Sequence, residues 1–185
     1  VSLPWMSIGY EVNVTPMQII TLYNAIANQG KMMKPQFVTE IRRGNQTIEK
    51  FDPMVINEQI CPPECIKKLQ DMLHGVTVRG TAKRQFADCS FPVAGKTGTA
   101  QYCDPVKGYN YREPGIGRRL YNTTFVGYFP EDKPQYTCIC MINNPKGSYD
   151  SGYDCGNVVR TIAERTIAYS DYYTFEGDSL VMKKW

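Results

Sequence analysis

The chain of 185 residues holds a single histidine, His74, which leaves a histidine-rich metal centre without ligands. No apolar run approaches the ~20 residues that a membrane-spanning helix requires. The opening Val1-Ser2-Leu3-Pro4-Trp5 has no basic region followed by an apolar stretch, so no signal peptide is expected there and the chain reads as an excised piece. Neither sign of charge dominates. With 21 Lys and Arg against 18 Asp and Glu, the net charge of +3 is too small and too scattered to argue for nucleic acid. Repeats and low-complexity segments are also missing. A phosphate-binding loop is suggested by Gly95-Lys96-Thr97, but such a loop needs a glycine five residues before the Gly-Lys, where Ser90 stands. Phe91 and Val93 fill the intervening loop with bulk and Pro92 removes an N–H, so no phosphate cradle forms. What remains is a globular protein. Hydrophobic residues make up 42 % and charged ones 21 %, and the length suffices to bury a core as one domain or a large part of one.

Cysteine, by contrast, is plentiful, with seven in the chain. Cys61 and Cys65 are separated by Pro62-Pro63-Glu64 rather than a knuckle turn, which argues against zinc. Cys138 and Cys140 fall at i, i+2 on one strand, point to one face and are not placed to bond to each other, so both are expected as buried thiols. Small buried hydrophobes are the default reading of most of the others. No metal and no cofactor is expected.

The feature that carries chemistry is Val93-Ala94-Gly95-Lys96-Thr97-Gly98-Thr99-Ala100-Gln101. Lys96 supplies a fixed positive charge, Thr97 and Thr99 supply hydroxyls, and Gly98 has no side chain to keep a ligand off the backbone. Such an edge suits an anionic, peptide-like ligand that pairs with the main chain while its carboxylate meets the cation and the hydroxyls. An N–H near Thr99 is placed to stabilise an oxyanion. An ordinary strand end is the plain alternative for so short a triplet.

Around it, the pattern predicts helices on an antiparallel sheet. Thr15-Pro16-Met17-Gln18 combines an N-cap, a first-turn proline and a capping-box glutamine, opening a helix that Gly30 ends, with Met17, Ile20, Tyr23, Ile26 and Ala27 on its core face. Residues 37–41 and 47–51 flank Gly44-Asn45 as a surface hairpin. Pro62-Pro63-Glu64 opens a second helix carrying Ile66, Leu69, Leu73 and Val76, limited by Gly75 or Gly80, with His74 near the surface at its end. Residues 124–129 and 136–142 read as strands, the second buried on both faces. With no helix between them and the Lys-Thr-Gly strand, the three form an antiparallel sheet. A last helix runs from about Cys155 to Ala168, with Val159, Ile162, Ala163, Thr166 and Ile167 inward. The glycine- and tyrosine-rich stretch 102–121 is long enough to serve as a lid or a partner surface.

Ile8-Gly9-Tyr10-Glu11-Val12-Asn13-Val14-Thr15-Pro16-Met17-Gln18, Ala25-Ile26-Ala27-Asn28-Gln29-Gly30, the run 93–101, Phe125-Val126-Gly127-Tyr128-Phe129-Pro130 and Asn144-Pro145-Lys146 stand in the order seen in class B penicillin-binding proteins. Over about residues 7–168 the chain resembles the C-terminal part of their transpeptidase domain, with a tail at 169–185. The Ile-Gly-Tyr-Glu-Val opening is similar to the septal, division-specific members more than to the elongation-specific ones. The resemblance implies an α/β fold of the α+β type, a partial penicillin-binding transpeptidase (serine β-lactamase-like) fold with an antiparallel sheet packed with helices. It also implies an enzyme that cross-links peptidoglycan by acyl transfer at a D-alanyl-D-alanine stem peptide, with β-lactams as mimics of that substrate. Division-machinery proteins are implied partners, and the implied location is the outer face of the cytoplasmic membrane, through an anchor that these residues do not include. Carried over, Lys96 and Thr99 are catalytic, and Thr97, Gly98 and Thr99 bind substrate, the Thr99 N–H forming half of the oxyanion hole.

The family also uses a Ser-x-x-Lys nucleophile and a Ser-x-Asn motif. No serine here is followed three residues on by lysine, and none begins a Ser-x-Asn. The isolated chain is therefore expected to be inactive and, lacking a helical companion, to expose apolar surface and self-associate. The alternatives are a non-catalytic relative that binds cell wall or a division partner through the 102–121 loop, and a β-lactam sensor or hydrolase of the same fold, which the 7–30 region matches poorly.

Overall fold

Local chemistry sets the first elements. A short helix α1 (Ser2–Ser7) precedes α2 (Pro16–Ala27), whose start is closed by the expected box: Gln18 N–H donates to the Thr15 hydroxyl, and the Gln18 side chain accepts from the Thr15 N–H at 2.8 Å. Gly30, at φ +96°, follows in the left-handed region that a helix stop favours. Next come β1 (Met32–Met33), the hairpin β2 (Glu40–Arg43) and β3 (Gln46–Lys50), and β4 (Val55–Asn57), which pairs back on β1. Helices α3 (Pro63–Val78) and α4 (Lys83–Phe86) lead into the main sheet: β5 (Ala94–Gln101), β6 (Tyr121–Phe129) and β7 (Tyr136–Asn143). A π-helical turn, Gly152–Gly156, runs into α5 (Asn157–Ala168), and a hairpin of β8 (Tyr173–Glu176) and β9 (Ser179–Met182) follows. This computed structural model describes residues 2–112, 114–115, 117–146, 150–170, 173–176 and 179–182, so parts of the 102–121 loop and of the 169–185 tail lie outside the described residues.

The main sheet is antiparallel in the order β5-β6-β7, as the sequence predicts, with Lys96 opposite Val126, Thr97 opposite Phe125 and Gly98 opposite Thr124. Two cores form on its two faces. On one, α4, the π-turn and α5 bury Phe86, Phe91, Phe125, Phe129, Cys155, Val159, Ala163 and Ile167. Phe86 stacks on Phe125 at 5.1 Å between ring centroids. On the other, α2 and α3 bury Ile26, Ala27, Leu73, Ala94 and Tyr128, and Gln70 of α3 ties to the Ile26 carbonyl of α2 at 2.9 Å. Burial pushes the Tyr128 phenol well above its ordinary pKa, with Glu131 and Asp71 adding to the shift.

Four expectations need correction, and one is narrowed. Strand β7 is not buried on both faces: it is an edge strand of half-covered residues, and Met141 is 39 % exposed, because α2 and α3 cover only one half of their face. Met17 is exposed, since α2 packs through its second half, Ala25, Ile26 and Ala27. Ile162 is exposed as well, one step off the Val159, Ala163, Ile167 stripe that α5 turns inward. Of the two glycines expected to limit α3, Gly80 is the one that does: the Arg79 N–H still donates to the Gly75 carbonyl at 3.0 Å, and the chain leaves the helix at Arg79 and Gly80. The surface hairpin pairs closer to its turn than 37–41 implied, leaving Phe37 outside the ladder and 84 % exposed.

Candidate active-site strand

Strand β5 pairs with β6 on one side only, and its outer edge is held at both ends. Near its start, the buried Thr77 hydroxyl of α3 donates to the Val93 carbonyl at 2.6 Å. At its finish, the Gln101 N–H donates to the Tyr10 hydroxyl at 3.3 Å. The Tyr102 N–H points the other way, to the Leu120 carbonyl on the β6 side at 2.9 Å. Antiparallel ladders alternate residue by residue, so the N–H groups of Thr97 and Thr99, like that of Gln101, face outward. Among the described residues neither has a strand partner.

The four residues expected to carry chemistry therefore share one short stretch of open edge, flanked from both faces. Lys96 and Gly98 stand on the face shared with Ala94, both exposed, and the Lys96 ammonium donates to the Thr97 carbonyl at 2.6 Å. Thr97 and Thr99 stand on the face shared with Phe125. A methyl built on Gly98 would meet only Thr124 atoms, the nearest at 3.7 Å, which is ordinary contact. Packing does not demand a glycine at that position. What the glycine leaves is room beside the backbone for an incoming chain.

Several partners of these residues lie far away in sequence. The Thr97 and Thr81 hydroxyls are 2.8 Å apart. Thr99 is hydrogen-bonded to Ser151, and the Ser151 hydroxyl donates to the Gly98 carbonyl at 2.6 Å. Next to Gln101, Tyr10 packs edge-on against Trp5 and Tyr109, with centroids 5.6 and 5.5 Å away, so Tyr109 leans on the N-terminal segment. None of these contacts has a periodic signal that sequence reading could have caught. His74, read as an unremarkable helix-end residue, instead pairs with Glu131 at 2.5 Å, and the Glu131 N–H donates to the Pro92 carbonyl just before β5.

The thiols divide by location. Cys155 is buried, Cys138 and Cys140 are half-buried against the Phe125 core, and Cys65 and Cys103 are exposed, which corrects the expectation of mostly buried cysteines. Burial, helped by the neighbouring Cys155, pushes the Cys140 thiol up to about 12, and burial also raises Cys138. Among the described residues no group of three or more His, Cys, Asp or Glu is placed to hold a metal ion, and no helix is long and apolar enough to cross a membrane. A cleft of about 380 Å3 lies elsewhere, between Lys34, Phe37, Phe51 and Met54, and includes none of the β5 residues.

The chain is similar to penicillin-binding protein 2A of Bacillus subtilis, 32 % identical over 161 residues that cover 83 % of this chain and 22 % of that protein. It is likewise similar to penicillin-binding protein H of the same organism, 34 % identical over 173 residues, covering 90 % of this chain and 23 % of the relative. The chain thus spans less than a quarter of the length of these relatives. Its fold matches the crystal structure of penicillin-binding protein 3 from Mycobacterium tuberculosis complexed with aztreonam, with a TM-score of 0.70 and 26 % identity, over 88 % of this chain and 37 % of that one. The sequence profile of the penicillin-binding protein transpeptidase domain matches residues 3–164, a span that takes in β5 and both layers of helices around it, and the chain belongs to that family.

Proposed function

We propose that these residues form the C-terminal portion of the transpeptidase domain of a class B penicillin-binding protein of the septal, division-specific type. The whole protein would cross-link peptidoglycan stem peptides by serine acyl transfer on the outer face of the cytoplasmic membrane, among division-machinery partners. The observation that carries the reading is the outer edge of β5, where Lys96, Thr97, Gly98 and Thr99 surround two outward N–H groups without strand partners. An extended D-alanyl-D-alanine end can pair with that edge as an added strand. Its terminal carboxylate meets the Lys96 ammonium and the Thr97 hydroxyl. As the nucleophile attacks, the carbonyl oxygen gains charge, and the Thr99 N–H is directed at the place where that charge develops. A β-lactam fits the same frame, carrying a carboxylate beside a reactive carbonyl.

The nucleophile itself belongs to a serine-lysine motif that these residues do not contain. The half of the sheet face around Lys96, Gly98 and Met141, which α2 and α3 leave exposed, is where the rest of the domain would pack. The test is intact mass after penicillin treatment of the full-length protein, its Lys96→Ala variant and the isolated 185-residue chain. The expected result is a stoichiometric adduct on the full-length protein, slowed or lost in the variant and absent from the isolated chain. A folded full-length protein with no adduct would overturn the reading.

A further inference from the structure

We infer that Ser151, outside every motif described above, is a positioning residue that aims the Thr99 N–H; the inference rests on the transpeptidase reading of β5. Ser151 is 2 % exposed, and its hydroxyl touches two points of the same short segment, donating to the Gly98 carbonyl at 2.6 Å and bonding Thr99 Oγ1. The proton count fixes the direction of both bonds. A serine hydroxyl has one proton, and a carbonyl only accepts, so the Ser151 proton goes to Gly98 and Thr99 must be the donor in the second bond. The resulting chain runs Thr99 O–H to Ser151 O–H to Gly98 C=O.

The Gly98 carbonyl and the Thr99 N–H belong to one planar, trans peptide group, and they point in opposite directions. Holding the carbonyl therefore sets the heading of the N–H. This restraint matters because the plane adjoins a glycine, the residue with the softest backbone torsions. Packing on Gly98 supplies little restraint of its own, its nearest would-be contact being an ordinary 3.7 Å, so the heading is left to the β6 ladder, where Gly98 stands opposite Thr124, and to Ser151. Ser151 is itself firmly mounted. A methyl on the adjacent Gly152 would come within 2.7 Å of the Thr81 carbonyl oxygen, and the Cys155 thiol one turn on donates to the Thr123 carbonyl at 3.3 Å.

The test uses the full-length protein with Ser151→Ala and the near-isosteric Ser151→Cys, which keeps the buried volume and loses the strong donor. Stopped-flow acylation by penicillin separates the acylation rate constant from the Kd of the preceding non-covalent complex. Both variants are expected to lower the rate constant by about tenfold to a hundredfold, less than or equal to the loss on deleting an oxyanion donor outright, with Kd changed by less than about threefold. The pattern should persist in Ser151→Cys even if Ser151→Ala does not fold. An unchanged rate constant in a folded variant, or a loss confined to Kd, would overturn the inference while leaving the transpeptidase reading intact. Absence of any adduct on the wild-type protein would overturn both.

Discussion

A glycine on one face of the β5-β6-β7 sheet is there because the protein has no room, and a glycine on the other is there although the protein has room to spare. Gly127 and Gly95 oppose each other on the face that carries the Phe125 core, where a methyl on Gly127 would sit 2.5 Å from the Ala94 carbonyl oxygen and one on Gly95 2.6 Å from the Phe125 ring. Gly98, on the opposite face, meets nothing closer than 3.7 Å. The same residue type is thus demanded by packing in one place and unexplained by packing in the other. The difference teaches where to look for function: at the position whose small size the fold does not explain.

The largest effect should come from opening the closed face. Phe125→Ala removes a fully buried ring stacked on Phe86 and is expected to cost about 3–5 kcal/mol, read as a lowered urea midpoint. The glycine pair tests the comparison directly. Gly127→Ala should destabilise by about 1–3 kcal/mol by forcing β5 and β6 apart. Gly98→Ala should stay within about 0.5 kcal/mol of the wild type, yet slow penicillin acylation of the full-length protein by about tenfold through misplacement of the ligand. Equal destabilisation by the two substitutions would break the distinction.

A smaller effect comes from a flaw on the closed side. Among the described residues the buried Asp154 Oδ2 has no hydrogen-bond partner, and desolvation, with Asp150 nearby, raises the Asp154 pKa. A carboxyl whose pKa is higher in the folded state than in the unfolded state opposes folding once it ionises, so its penalty grows as pH rises above the unfolded value. Asp154→Asn should therefore raise the thermal midpoint modestly at pH 7, and that advantage should vanish below about pH 4, where the unfolded aspartate is itself protonated. A constant advantage at all pH values would point to packing instead of charge. The slightest perturbation is chemical labelling: with a thiol-reactive disulfide at pH 8, Cys65 and Cys103 should react first, and Cys138, Cys140 and Cys155 only as the closed face opens. Early labelling of Cys155 would mean that this core is not closed.

What the sequence made legible was local or periodic. The Thr15–Gln18 box lies within one helical turn, the β5 motif is contiguous, and the antiparallel order follows from three strands without crossover helices. What it hid was tertiary. Ser151 stands 52 residues from Thr99 and Tyr10 91 from Gln101, and no spacing rule links a serine before a π-turn to a strand laid down earlier. Burial misled where a hydrophobic stripe ran past the surface available to cover it, as at Met17 and Ile162.

An uncovered strand edge is also a hazard, because unpaired main-chain groups recruit other chains into runaway sheets. The clamps at Val93 and Gln101 change that risk. They leave open only the few residues between them, a gap too short to seed a fibril, so the edge can stay exposed without becoming a template for aggregation.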